Sequence, residues 1–167
     1  MKNLVSDVGG VLYSFDPSFD PRKHEAVFVK AMEYLGKAKL DLKSQLEGER
    51  EAVAEGLLQI YPHRSGVRNF LKNLTFYHGT LVATSLPETT RYILRQIGIP
   101  TAGLEIFDMS DYGSKKDKEA WKKILRNYSQ IDVIVEDGEK NLAAAGEAAA
   151  ELGFTPRLYQ AMPLLVG

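Results

Sequence analysis

Asn3-Leu4-Val5-Ser6-Asp7-Val8-Gly9-Gly10-Val11-Leu12 is the stretch that decides the fold. Its residues 3–6 form a short apolar run that closes on an acid and two glycines. Similar runs, each ending in a polar cluster, recur at 80–83, 105–109 and 132–135, with a weaker fifth at 156–159. Such runs read as buried parallel strands when helices separate them. Helical patterns do separate them. One covers 67–74 after Gly66. Another covers 86–97, opening on the capping-box pattern Ser85-Leu86-Pro87-Glu88 and stopping at Gly98. A third, at 118–128, follows Ser114 and Asp117. An alanine-rich fourth, at 140–152, stops at Gly153. The alternation predicts a doubly wound α/β fold, a three-layer Rossmann-like sandwich with a central parallel sheet.

Residues 13–61 break that rhythm. Asp20-Pro21 reads as a helix start, with Val27, Ala31 and Leu35 on one face and a stop at Gly36. A second helical pattern runs from about 42 to 60 through Leu46, Val53, Leu57 and Ile60, weakened at Gly48. No strand fits the stretch. The expected organisation is a core of residues 1–12 and 62–167 and a small helical cap, 13–61, over the carboxyl end of the first strand.

The 167 residues suffice for one domain with a proper core. Hydrophobic residues make up 44% and charged residues 26%, ordinary for a globular protein. A net charge of −1 gives no reason to expect nucleic acid or an anionic membrane as partner. With no cysteine, thiolate catalysis, disulfides and cysteine-held zinc are excluded. The opening MKNLVSDVGG runs straight into a strand and does not read as a signal peptide. No apolar stretch is long enough to span a bilayer, so a cytoplasmic enzyme is expected.

In an open parallel sheet, ligands bind beyond the carboxyl ends of the strands. The residues there are Asp7, Thr84, Lys115 or Lys116, and Glu136-Asp137. Carboxylates and phosphate oxygens suit Mg²⁺, a hydroxyl and a lysine can hold phosphoryl oxygens, and an aspartate can attack phosphorus. Phosphoryl transfer is mainly positioning and charge neutralisation, so this set suffices in kind. His24, on an exposed helix face, His63, in a turn, and His78, before a strand, share no ligand-like spacing and read as structural or surface groups. Arg22 and Lys23 read as a solvated helix start that could reach a substrate anion. Trp121 reads as core packing.

Four motifs in order resemble those of the haloacid dehalogenase-like hydrolases. They are Asp7-Val8-Gly9-Gly10-Val11-Leu12, Leu81-Val82-Ala83-Thr84-Ser85, Gly113-Ser114-Lys115-Lys116-Asp117, and Val133-Ile134-Val135-Glu136-Asp137 with Asn141 four residues on. Leu152-Gly153-Phe154 and Tyr61-Pro62 also match the family's pattern, and the resemblance covers nearly the whole chain. It implies hydrolysis of a small phosphorylated metabolite through an aspartyl phosphate on Asp7, with Mg²⁺ held by Asp7, the Gly9 carbonyl and Asp137. Thr84 and the third-motif lysine would bind the phosphoryl group, with Ser85, Gly9 and Gly10 beside it. Lys116 is favoured because the family's lysine often directly precedes a proline, whose place Asp117 takes; Lys115 is its rival. Glu136 and Asn141 would be supplementary ligands. A short cap leaves the site open or completed by a second copy of the chain, a homo-oligomer.

One departure matters. The family's second first-motif Asp, which protonates the leaving group, is Gly9 here. If another group acts as the acid, Asp16 is the first candidate. Dehalogenases in the family also lack this Asp, so dehalogenation of a 2-haloacid is an alternative, as is a regulatory protein that binds phosphate with little turnover. A signalling receiver domain carries its acidic pair after the first strand, whereas this chain has it after the fourth.

Overall fold

The computed structural model describes residues 2–161. Five strands form one parallel sheet: β1 (Lys2–Ser6), β4 (Tyr77–Ala83), β5 (Glu105–Asp108), β6 (Val133–Glu136) and β7 (Arg157–Gln160), in the order β5-β4-β1-β6-β7. The side chains of β1 alternate between the two faces. Leu4 joins one buried cluster and Val5 the other, as do Leu81 and Val82 of β4 and Val133 and Ile134 of β6. Burial on both faces is why these strands are continuously apolar.

Helices α3 (Arg64–Asn73) and α4 (Pro87–Gln96) supply Phe70, Ile93 and Leu94 to the first cluster. Helices α5 (Lys118–Leu125) and α6 (Glu139–Glu151) cover the opposite face with Trp121, Ile124, Leu125 and the alanines at 144, 145, 148 and 149. The three-layer α/β sandwich expected from the sequence is the architecture found.

Residues between β1 and α3 fold into α1 (Pro21–Tyr34) and α2 (Leu42–Ala54), flanked by β2 (Tyr13–Ser14) and β3 (Tyr61–Pro62). Both helices start on an aspartate cap: Asp20 accepts from the Arg22 amide, and Asp41 from the Ser44 amide. Ala31, Met32, Ala52 and Val53 merge with the first core cluster. A side-chain carbon at Gly48 would lie 2.8 Å from the Met32 sulfur, so the residue that weakens the helix pattern is the one that lets α1 and α2 approach.

Three expectations need correction here. The antiparallel pairs Tyr13↔Pro62 and Ser14↔Tyr61 make a two-stranded ribbon where no strand was expected; two residues are too few to show a period. The second insert helix ends at Ala54 rather than near residue 60, because the chain reverses at Gly56 (φ 75) and sends Leu58 into the core. Leu86, not Ser85, stands at the α4 cap, without a side-chain cap bond; the Ser85 hydroxyl donates instead to Glu49 of α2.

Candidate active site

The chain runs outward from β1 to β4 and β5, then returns to β6 on the other side of β1. The carboxyl ends of β1 and β6 therefore flank the point where the strand order reverses, where such sheets bind ligands. Asp7 follows β1, and Asp137 follows Glu136 at the end of β6. The Asp7 amide donates to the Val135 carbonyl at 2.9 Å, which fixes the two strand ends together. One carboxylate oxygen from each of Asp7, Glu136 and Asp137 lies within 4.8 Å of the others.

Lys115 enters this cluster from the loop before α5. Its Nζ is 2.5 Å from Asp7 Oδ1 and 3.1 Å from Glu136 Oε2. The Trp121 indole donates to the Lys115 carbonyl at 2.7 Å, pinning the backbone that carries the lysine. Lys116, which the sequence favoured, is exposed, and it is Lys115 that the structure brings to the carboxylates. The register before Asp117 points to Lys116, whereas the buried Trp121 fixes the backbone at Lys115.

Burial alone would raise the Asp7 carboxyl, but the Lys115 ammonium and hydrogen bonding to Asp137, Glu136 and Lys115 hold it below the ordinary carboxylate range. Lys115 is buried, which by itself favours the neutral amine; the charges of Asp7 and Glu136 reverse that and keep it protonated. Burial and the Asp7 charge push Glu136 up to about 10 and Asp137 up to about 6. Three carboxylates facing one ammonium leave an excess of two negative charges when all are ionised. The cluster thus fits a divalent cation on both oxygen chemistry and charge. Gly10 makes room for it: its φ is +82, and a side-chain carbon there would lie 2.0 Å from an Asp137 carboxylate oxygen.

A cavity of about 490 Å³ opens from this cluster toward the insert. Asp7, Gly9, Gly10, Lys115 and Asp137 line its floor, with exposed Thr84 and buried Ser85 at the end of β4. Tyr13, His24, Glu25 and Glu49 line the insert side. Asn141 does not line the cavity.

His24 was expected on an exposed face; it lies against the cavity instead. The Phe15 amide donates to its Nδ1 at 2.9 Å and its ring stacks on Phe15, so the neutral imidazole carries its proton on Nε2. Burial lowers its pKa and favours that neutral form. Asp16 takes hydrogen bonds from the Ser18 hydroxyl and amide, which hold its carboxyl low, and it does not line the cavity. It is therefore a poor acid for a leaving group. Glu49 was not singled out by sequence, since a glutamate on a polar helix pattern carries no special signal. It is 6% exposed, and burial pushes it up to about 7, against the Ser85 hydrogen bond and aided by the charges of Asp108 and Glu25.

No protein-family model matches the chain, and no curated protein matches it by sequence. Solved structures do match in fold. A HAD family enzyme from Bacteroides thetaiotaomicron, solved in complex with magnesium and inorganic phosphate, is 17% identical with a TM-score of 0.60. The match covers 98% of this chain and 95% of that one. An L-2-haloacid dehalogenase from Xanthobacter autotrophicus is 12% identical with a TM-score of 0.58, over 93% of this chain and 76% of that one. The HAD domain of the effector Lem4 from Legionella pneumophila is 12% identical with a TM-score of 0.57, over 98% and 87%.

Proposed function

We propose that this chain, which has the haloacid dehalogenase-like fold, hydrolyses a phosphomonoester with the help of Mg²⁺. The observation that carries the reading is the cluster of Asp7, Glu136 and Asp137 around Lys115 at the sheet's switch point. Asp7 attacks phosphorus and the alcohol leaves; water then attacks the resulting aspartyl phosphate and releases inorganic phosphate. Asp7, Asp137 and the Gly9 carbonyl would hold the cation, which supplies charge neutralisation at the phosphoryl oxygens. Lys115 neutralises a further oxygen, and Glu136 holds Lys115 in place. Thr84 binds the phosphoryl group from the carboxyl end of β4, on the other side of β1 from β6, with Ser85 beside it. Dehalogenation would need no cation, whereas the acids here outnumber the one ammonium beside them.

Hydrolysis of an aryl phosphate with Mg²⁺ and with excess chelator tests the reading. Activity should require the metal. Asp7→Asn should cost at least about 10³-fold, as expected for a lost nucleophile. Lys115→Ala should cost about 10²–10³-fold, as for a lost oxyanion donor. Lys116→Ala should stay within about twofold, as an exposed change does. Full turnover in chelator, or in Asp7→Asn, would overturn the mechanism.

A further inference from the structure

The phosphate end of the cavity has its basic group in Lys115, the only Lys or Arg among the described residues that line it. The insert end has none. Its charged lining residues are Glu25 and Glu49, and the basic pair Arg22 and Lys23 stays exposed outside. His24 is held neutral, so it offers a hydrogen bond and no charge. Glu49 is the unusual member. It is 94% buried by its 6% exposure, lines the cavity, and takes one hydrogen bond, at Oε1 from Ser85. No hydrogen bond or ion pair involves its Oε2 among the described residues, which leaves that oxygen open to the cavity it lines. A buried carboxylate with no cation beside it is costly, and a ligand that brings the cation removes that cost. A second anion in the same place would add to it.

We propose that the substrate is the phosphate ester of an amino alcohol: its phosphate sits at Asp7 and its ammonium group at Glu49 Oε2. Phe19, Phe28, Leu42 and Leu46 give the intervening carbons an apolar wall. Glu25, exposed at the same end, adds to the negative field that admits a cation and repels a carboxylate. Phosphorylated acids and bisphosphates are excluded by the same charges. The proposal rests on the phosphatase reading for the placement of the phosphate, and on Glu49 alone for the identity of the other end.

Equilibrium binding of non-hydrolysable phosphonates to the magnesium-loaded protein tests it without turnover. The probes are 2-aminoethylphosphonate, 2-hydroxyethylphosphonate and 3-phosphonopropionate. A charge-assisted hydrogen bond to a desolvated partner corresponds to about 10- to 100-fold in affinity, so the amine should bind that much more tightly than the alcohol, and the carboxylate most weakly. Glu49→Gln should erase the ratio between amine and alcohol, and Glu49→Asp should restore part of it. A general loss of folding would weaken all three probes together and leave the ratio intact. Equal binding of amine and alcohol by the natural chain, tighter binding of the carboxylate, or no binding of any probe overturns the proposal. The two readings fail separately. Aryl-phosphate hydrolysis without an amine preference removes only the substrate class, whereas an amine preference without any hydrolysis removes the phosphatase.

Discussion

A side-chain carbon built on Gly9 would lie 3.7 Å from the Tyr13 hydroxyl, an ordinary contact, and Gly9 is not among the glycines of positive φ. The backbone therefore accepts a side chain there, unlike at Gly10. Tyr13 is the side chain nearest to that carbon. Burial and the charges of Glu49 and Asp7 raise its hydroxyl well above the ordinary tyrosine range, so it stays protonated. With no carboxylic acid at residue 9, the rate should depend steeply on the leaving group, and aryl phosphates should outpace alkyl phosphates. General acid–base help is worth roughly 10²–10⁴-fold, so Gly9→Asp should raise alkyl-phosphate turnover at least about tenfold more than aryl-phosphate turnover. The ratio of the two kcat/KM values in each protein checks this; an unchanged ratio would show that residue 9 does not face the leaving oxygen. The strand-end positions of Asp7, Thr84, Glu136 and Asp137 were legible because each follows an apolar run. The choice between Lys115 and Lys116 was not, because adjacent lysines differ only in which way the loop turns, and a tryptophan six residues on from Lys115 decides that.

The connections between elements carry the site as much as the strands do. Helix α3 starts against the loop that follows Asp7. His63 caps it, accepting from the Gly66 amide at 2.9 Å, and the His63 amide donates to the Leu12 carbonyl at 2.9 Å. A side-chain carbon at Gly66 would lie 2.1 Å from the Val11 carbonyl oxygen, a backbone atom that cannot swing aside. Gly66→Ala should therefore destabilise the protein by about 1–3 kcal/mol, the usual cost of overpacking, despite alanine's better helix propensity. Urea denaturation measures it, and a variant as stable as the natural chain would mean that α3 can slide off the loop. Helix α2 is tied to the sheet by three side chains: Lys43 to Asp108 at 2.9 Å and Asp111 at 2.7 Å, Arg50 to Glu88 at 2.7 Å, and Glu49 to Ser85. None of these ties was legible in the sequence, since each joins residues far apart on two polar helix or loop faces. The strands β1, β4 and β6 and the helix stops at Gly36, Gly98 and Gly153 were legible because local pattern and final structure agree in them.

For the whole molecule, Glu49 links the cavity to stability. Its ordinary value of 4.5 rises to about 7 in the folded chain. A raised carboxyl stabilises the fold fully below its ordinary value, and that contribution is lost as pH climbs through the raised one. Glu49→Gln has no such titration. Relative to the natural chain, the variant should thus gain stability between about pH 4.5 and 7, on the order of 3 kcal/mol. Denaturation at pH 5 and pH 8 checks the sign: a difference that stays constant, or moves toward the natural chain, would show that Glu49 is not buried unpaired. No helix among the described residues is long and apolar enough to cross a membrane. The sheet order has a further consequence for the chain as it is made. Strand β1 leaves the ribosome well before its partners β4 and β6, which are Tyr77–Ala83 and Val133–Glu136. Its apolar residues wait until those partners are made, an interval in which chaperones or neighbouring nascent chains compete for them. Asp7 is made long before Glu136 and Asp137, the acids that cluster with it. A product of translation that stops short of β6 for that reason lacks the carboxylate cluster.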